Sequence, residues 1–354
     1  MSRFLQLHAL TSYPPSNLNR DDTGRPKTAI VGDALRLRIS SQSLKRAWRT
    51  SELFETVLGG HIGTRTKDMG KEIHKKLVAG GIGDKQAREW ARKVAGKFGK
   101  LKADKKSEKD EDLQIEQLAH FSPEEIAAIN TLVQDCATRK EGPTDDELQL
   151  LRTPRKAVDI AMFGRMLADS PAFNMEAAVQ VAHAVTVHKT AVEDDYFSAV
   201  DDLNDGSTDR GAAHIGERSY GSGLFYLYVC VDRALLVANL GGDHELANKA
   251  LHAFIHALAK VSPTGMQNSH ASRAYASYLL AECGDQQPRS LAQAFLKPVK
   301  PAEGEDMLEK AVRALETRRD NFDKVYGACS DAHYSINVET GAGNLDELVR
   351  FAQG

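Results

Sequence analysis

No two of the four cysteines form a C-x-x-C pair; Cys136, Cys230, Cys283 and Cys329 are scattered through 354 residues. That argues against a zinc knuckle, a dithiol redox motif and a disulfide scaffold, and it fits a reducing compartment, the cytoplasm. No apolar run suits a signal peptide or a membrane span, so a soluble chain with no membrane partner is expected. Phosphate-binding signatures are missing too. Gly96-Lys97-Phe98-Gly99-Lys100 lacks the spacing and hydroxyl of a P-loop, Gly341-Ala342-Gly343 does not continue as a dinucleotide fingerprint, and Gly221-Ser222-Gly223 is too short for a nucleophile elbow. His252 and His256 stand one helical turn apart but lack an intervening glutamate and a third ligand, so packed or surface histidines are expected and no cofactor. Nor is there an excess of positive charge. A formal net charge of −3 excludes a uniformly basic coat, so a polyanion site must come from segregation of charge.

The charges are segregated. Residues 1–50 hold nine Lys/Arg against three acids, residues 85–109 ten against three, and residues 190–206 six acids with no Lys/Arg. The chain is organised around Arg36–Arg49, R-L-R-I-S-S-Q-S-L-K-R-A-W-R. Its first four residues alternate as a half-buried strand does, and Ser40 or Ser41 is placed to cap a following helix. On that helix Leu44, Ala47 and Trp48 share one face, and Gln42, Lys45, Arg46 and Arg49 cluster opposite. Free N–H groups at the helix start, serine hydroxyls and the basic face together suit a polyanion; a merely solvated face is the plainer alternative.

Phe4–Leu10 alternates as a central strand, and a Pro/Asn/Asp-rich loop from Ser12 carries Arg20, Arg25 and Lys27. Thr28–Val31 is expected to pair with Arg36–Ile39 across Gly32-Asp33. From Glu52 to Ala182 the spacing is mostly helical, with Ser122-Pro123-Glu124-Glu125 as a helix start, and Met175–His188 is expected to be a helix. Lys97–Asp112 is charged enough to be solvent-exposed and mobile, and the cations of residues 85–109 make a candidate non-specific track for duplex DNA. Thr190–Gly221 reads as a projecting hairpin with acidic arms, carrying Tyr196, Phe197, Val200 and Leu203, which can wedge between bases or fold back on the domain. Its carboxylates can also meet the basic surface of a second copy, a head-to-tail contact. Leu224–Val231 is the strongest strand. A helix over His244–Lys260, a polar turn at Pro263–Asn268, a strand over Arg273–Ala281, helices over Ser290–Phe295 and Glu305–Tyr326, and a last helix over Asn344–Ala352 follow. Early and late strands around a helical insertion make the fold class α+β. The adjacent pairs Asp21-Asp22, Asp194-Asp195 and Asp201-Asp202 are expected to serve turns and solubility rather than hold a metal.

Five runs, L-N-R-D-D at Leu18–Asp22, R-I-S-S-Q-S-L-K-R-A at Arg38–Ala47, D-I-A-M-F-G-R-M at Asp159–Met166, F-S-A-V-D-D-L at Phe197–Leu203 and S-G-L-F-Y at Ser222–Tyr226, resemble the CasC family. These are the crRNA-binding backbone subunits of type I-E CRISPR Cascade complexes, in the Cas-seven superfamily. The resemblance implies an RRM-like (ferredoxin-like) palm in residues 1–51 and 222–354, an inserted helical fingers domain in 52–189 and a β-hairpin thumb in 190–221. It implies a non-catalytic protein that polymerises along CRISPR RNA, with further copies and other Cascade subunits as partners and target DNA reached through guide pairing in antiviral defence. The family's RNA-backbone contacts fall on Arg20, Lys27, Ser40, Gln42, Lys45, Arg49, Lys297 and Lys300, and its base-wedging groups on Met166 and Phe197, with Arg165 beside them. The turn at Gln267 and Asn268 is a further candidate contact. The rival is a metal-dependent endoribonuclease of the type III kind, for which Asp21, Asp22 and Asp33 are the places to look.

Overall fold

The computed structural model describes residues 2–103, 110–199, 202 and 214–354. Both faces of β1 (Phe4–Ser16) are covered from Leu5 to Leu10, so the alternating run is a central strand. It continues six residues past Leu10, where pairing with the neighbouring strand Tyr278–Gly284 stops, so Pro14 and Pro15 cost that ladder no bond. β2 (Thr28–Val31) and β3 (Ala34–Ile39) pair as expected, Thr28 with Leu37 through Val31 with Ala34. Gly32 and Asp33 in the turn have φ of 56° and 57°, the left-handed pair that a two-residue hairpin loop requires. α1 (Ser41–Arg49) starts at once, with Ser40 Oγ accepting the Ser43 N–H and Leu44, Ala47 and Trp48 buried, and α2 (Glu52–Leu58) follows.

The next stretch is less purely helical than its spacing suggests. β4 (Thr64–Thr66), α3 (Met69–Ala79), α4 (Asp84–Ala95), β5 (Ala119–Phe121), α5 (Pro123–Arg139) and α6 (Val158–Phe163) alternate, with β4 and β5 paired antiparallel. α5 opens on a capping box in which Ser122 and Glu125 each accept the other's N–H. The expected helix over Met175–His188 is absent. β6 (Val179–Val181) and β7 (Ala184–Thr186) occupy it, because Val179, Val181, Val185 and Val187 recur with period two and are β-branched.

β8 (Glu193–Ala199) pairs with β9 (His214–Asp232), which runs through the predicted hairpin arm and the predicted Leu224–Val231 strand as one element. α7 (Arg233–Asn239) was not expected; α8 (His244–Lys260) matches its expected span. The polar turn contains a short α9 (Gln267–His270), and the late strand is β10 (Tyr278–Gly284), shifted from Arg273–Ala281 onto the wholly buried Y-L-L-A-E-C-G. Of the expected Ser290–Phe295 helix only a 3-10 turn at Ala292–Phe295 forms. α10 (Met307–Tyr326), the unforeseen β11 (Ala332–Asn337) and α11 (Leu345–Gln353) complete the chain.

The α+β class is borne out. Residues divide into two compact units, the first 1–54, 180–231 and 251–354, the second 55–179 and 232–250. The first is built on a nine-stranded sheet ordered β11-β10-β1-β9-β7-β3-β2, with β6 and β8 also pairing β9. Leu10, Tyr226, Tyr278 and Leu280 pack with Leu308, Ala311, Val312 and Leu315 of α10, while Trp48 of α1 meets Phe254 of α8 edge-on at 5.3 Å. The second has its own core around Ile73, Leu77, Trp90, Phe98, Phe121 and Ile129. No helix among the described residues is long and apolar enough to cross a membrane.

Candidate nucleic-acid interface

Three hydrogen bonds hold the loop after β1 beside the start of α1. The Ser40 N–H donates to Asn19 Oδ1 at 2.9 Å, the Lys27 N–H to the Asn19 carbonyl at 2.8 Å, and the Arg38 N–H to the Lys27 carbonyl at 2.8 Å. Arg20, bridged to Pro26, and Lys27 are thereby brought to the end of α1 from which Lys45 projects one turn on. Gln42 and Arg46 are exposed, Lys45 and Arg49 half-buried, and burial lowers the Lys45 ammonium pKa. Ser40 is buried and its hydroxyl is occupied by the helix cap, so its contribution is to order the turn.

Arg36, the first cation of the organising stretch, is not a surface group. It is 0% exposed, and its guanidinium donates to the carbonyls of Thr186 at 2.7 Å and Phe295 at 3.0 Å. A Cβ on Gly32 would fall 1.6 Å from the Leu296 carbonyl oxygen, so the β2–β3 turn also lies against this segment. Arg36 and Gly32 together fasten residues 295–296 to the hairpin, and the exposed Lys297 and Lys300 follow directly.

The base of the β8–β9 hairpin is tied to the same loop. Arg25 pairs with Asp194 at 3.0 Å, Ser219 Oγ donates to Asp194 at 2.6 Å, and Asn17 Nδ2 donates to the Ser219 carbonyl at 2.9 Å. The Asp194 carboxyl is held below its usual pKa by the Ser219 hydroxyl and by Arg25. Gly265 packs on Leu18, where a Cβ would lie 2.2 Å from its carbonyl oxygen, and brings α9 with Gln267 and Asn268 to the loop. Phe197, half-buried, stands opposite Gly216 in the hairpin register. Val200 and Leu203 lie outside the described residues.

Arg165 and Met166 belong to the second unit. Met166 is 80% exposed, beside a cleft of about 200 Å³ that Phe98, Lys100, Leu118 and Asp169 help line. Arg165, expected beside the base-wedging groups, is buried. Its guanidinium pairs with Glu125 at 2.7 Å and donates to the carbonyls of His120, Arg152 and Phe173, so its donors are occupied within the second unit. Of the cations in residues 85–109, Arg88 and Arg92 pair with Asp112, Lys93 with Glu89, Lys100 with Glu116 and Lys102 with Glu111, which leaves less free charge than the composition suggests. Lys105, Lys106 and Lys109 lie outside the described residues, as does the middle of the stretch expected to be mobile.

Asp21 Oδ1 accepts the N–H groups of Thr23 and Arg25 and the Thr23 hydroxyl, which lowers its pKa and makes it the organiser of the loop. Asp33 sits in the β2–β3 turn and Asp22 is exposed. The rings of His252 and His256 lie 4.5 Å apart, and among the described residues no group of three His, Cys, Asp or Glu is placed to hold a metal. Sequence reasoning missed Asn17, Asn19, Gly216 and Arg218. Only Gly216 carried a signal, a glycine inside a strand arm, which marks a close approach.

The CT1975-like protein family matches the chain over residues 5–350. No curated protein matches it in sequence. Among solved structures, a chain of a "CRISPR RNA-guided surveillance complex, pre-nicking" is 30% identical, with 99% of this chain and 100% of that one covered and a TM-score of 0.84. A second, from a "CRISPR RNA-guided surveillance complex", is 27% identical over 98% and 94% of the two chains, with a TM-score of 0.73. The resemblance carried by R-I-S-S-Q-S-L-K-R-A and its companion motifs therefore holds along almost the whole chain, which belongs to the CT1975-like family.

Proposed function

We propose that the chain is a CRISPR RNA-binding subunit of a Cascade-type surveillance complex, of the type I-E kind, that polymerises head-to-tail along the guide and has no catalytic role. One observation carries the reading. The loop of residues 17–27, the start of α1, the base of the β8–β9 hairpin and the α9 turn are joined by direct hydrogen bonds and close backbone packing, so phosphate-binding and base-contacting groups share one framework. Backbone contacts fix register, and the guide's Watson–Crick edges stay free to read target DNA. The similar chains come from CRISPR RNA-guided complexes, which supports this partner.

The order β10-β1-β9-β7, with α1 after β1 and α8 after β9, supports an RRM-like palm. On this reading residues 55–179 serve as fingers and the β8–β9 hairpin as thumb, in a cytoplasmic assembly with other Cascade subunits. The test is RNA binding and assembly of the full chain with a CRISPR RNA, for wild type, Lys45→Ala/Arg49→Ala and Phe197→Ala. Wild type forms ordered multimers; the double variant loses them, and removing two phosphate contacts lowers the salt slope by about 1.4. Equal binding by all three proteins refutes the reading, and metal-dependent cleavage of paired RNA would put the endoribonuclease in its place.

A further inference from the structure

Phe197 is held from two directions. Its ring lies over Gly216, where a Cβ would come within 2.4 Å of Phe197 Cζ. The Arg218 guanidinium carbon stands over the ring at 4.6 Å from its centroid, and Nη1 donates to Ser269 Oγ of α9 at 3.5 Å. Asp195 lies directly opposite Arg218 in register, yet the guanidinium is over the aromatic face. A phenyl ring on a two-stranded arm has several rotamers open to it. A glycine that leaves room on one side and a planar cation on the other select among them.

We infer that Arg218 is a positioning residue for the Phe197 ring: it holds the ring over Gly216 in the orientation in which the ring meets the RNA, and its bond to Ser269 couples that orientation to the α9 turn bearing Gln267 and Asn268. The inference rests on the proposed reading of Phe197 as a base-contacting group. Arginine is suited to the task, since its planar guanidinium stacks where a lysine ammonium offers only a point charge.

The experiment uses the full chain with a single-stranded CRISPR RNA. Trp48 and Trp90 are 1% and 7% exposed and so shielded from iodide, which makes a Phe197→Trp substitution the quenchable reporter. Without RNA, Arg218→Gln in that background raises iodide quenching of the introduced indole and shifts its emission to the red, and Arg218→Lys does so nearly as much. With RNA, Arg218→Gln weakens binding about two- to fivefold in the otherwise wild-type chain, the scale of one cation–π contact, and costs nothing further in Phe197→Ala. Unchanged quenching in Arg218→Gln overturns the inference. So do losses from Arg218→Gln and Phe197→Ala that multiply, which would make Arg218 a direct phosphate contact. If Phe197→Ala leaves RNA affinity unchanged, the base-contact reading falls, and the quenching series alone decides whether Arg218 holds the ring.

Discussion

Arg36→Ala removes a wholly buried guanidinium that satisfies two carbonyl groups and joins β3 to residues 295–296. Each hydrogen bond from a charged donor contributes roughly 1.5–3 kcal/mol, and the Thr186 and Phe295 carbonyls are left buried without that donor. Against this stands the recovered desolvation of a charge that has no carboxylate among its hydrogen-bond partners. The balance is a loss of about 3–5 kcal/mol, the scale of breaking a buried charged contact. Arg36→Met fills most of the volume and discards the charge but still orphans the carbonyls, so it loses less, about 2 kcal/mol. Urea unfolding followed by Trp48 fluorescence reads this well, because Trp48 lies in the same unit and packs edge-on against Phe254; a Trp90→Phe background silences the other unit. The alanine variant's midpoint falls by about 1–2 M at an ordinary m-value. A shift below about 0.3 M, or a methionine variant less stable than the alanine one, would refute the reasoning.

Gly32→Ala combines a left-handed φ of 56° with a Cβ 1.6 Å from the Leu296 carbonyl oxygen, and is expected to cost at least about 3 kcal/mol in the same urea assay and to weaken RNA binding by displacing Lys297. Glu282 is fully buried between His8 at 3.1 Å and Arg289 at 2.7 Å; burial pushes its carboxyl up, but these hydrogen bonds and charges outweigh it and hold the pKa well below the usual 4.5. A depressed carboxyl pKa gives stability that is present above 4.5 and lost as pH falls below it, so Glu282→Gln flattens the acid limb of stability against pH measured by thermal unfolding. Ala271 closes α9 at φ 49° and ψ 38°, so Ala271→Gly relieves strain and is expected to leave the melting temperature equal or raise it by a few degrees in calorimetry.

What the sequence disclosed followed the range of the interactions involved. The Ser40 cap, the Gly32-Asp33 turn and the Ser122–Glu125 capping box are local, and each was visible in adjacent residues. Met175–His188 failed because Val179, Ala182 and Val185 satisfy a helical spacing while Val181 and Val187 satisfy the strand period that prevailed. Arg36 and Arg165 look like surface cations in sequence and are buried because their acceptors come from up to 259 and 45 residues away. The candidate interface was legible as a set of cations; the neutral framework of Asn17, Asn19 and Ser219 that assembles it was not, since asparagines and serines in a loop resemble any other turn.

β9 is a single strand of 19 residues whose outer part pairs with β8 and whose inner part enters the central sheet. Because successive residues point to opposite sides, parity is transmitted along its length. Inserting or deleting one residue between Gly216 and Tyr226, unless a bulge absorbs it, would turn Arg218 away from the Phe197 side or Tyr226 out of its packing with Phe295. Relatives that vary the length of this arm are therefore restricted to changes of two residues within the paired part of the strand.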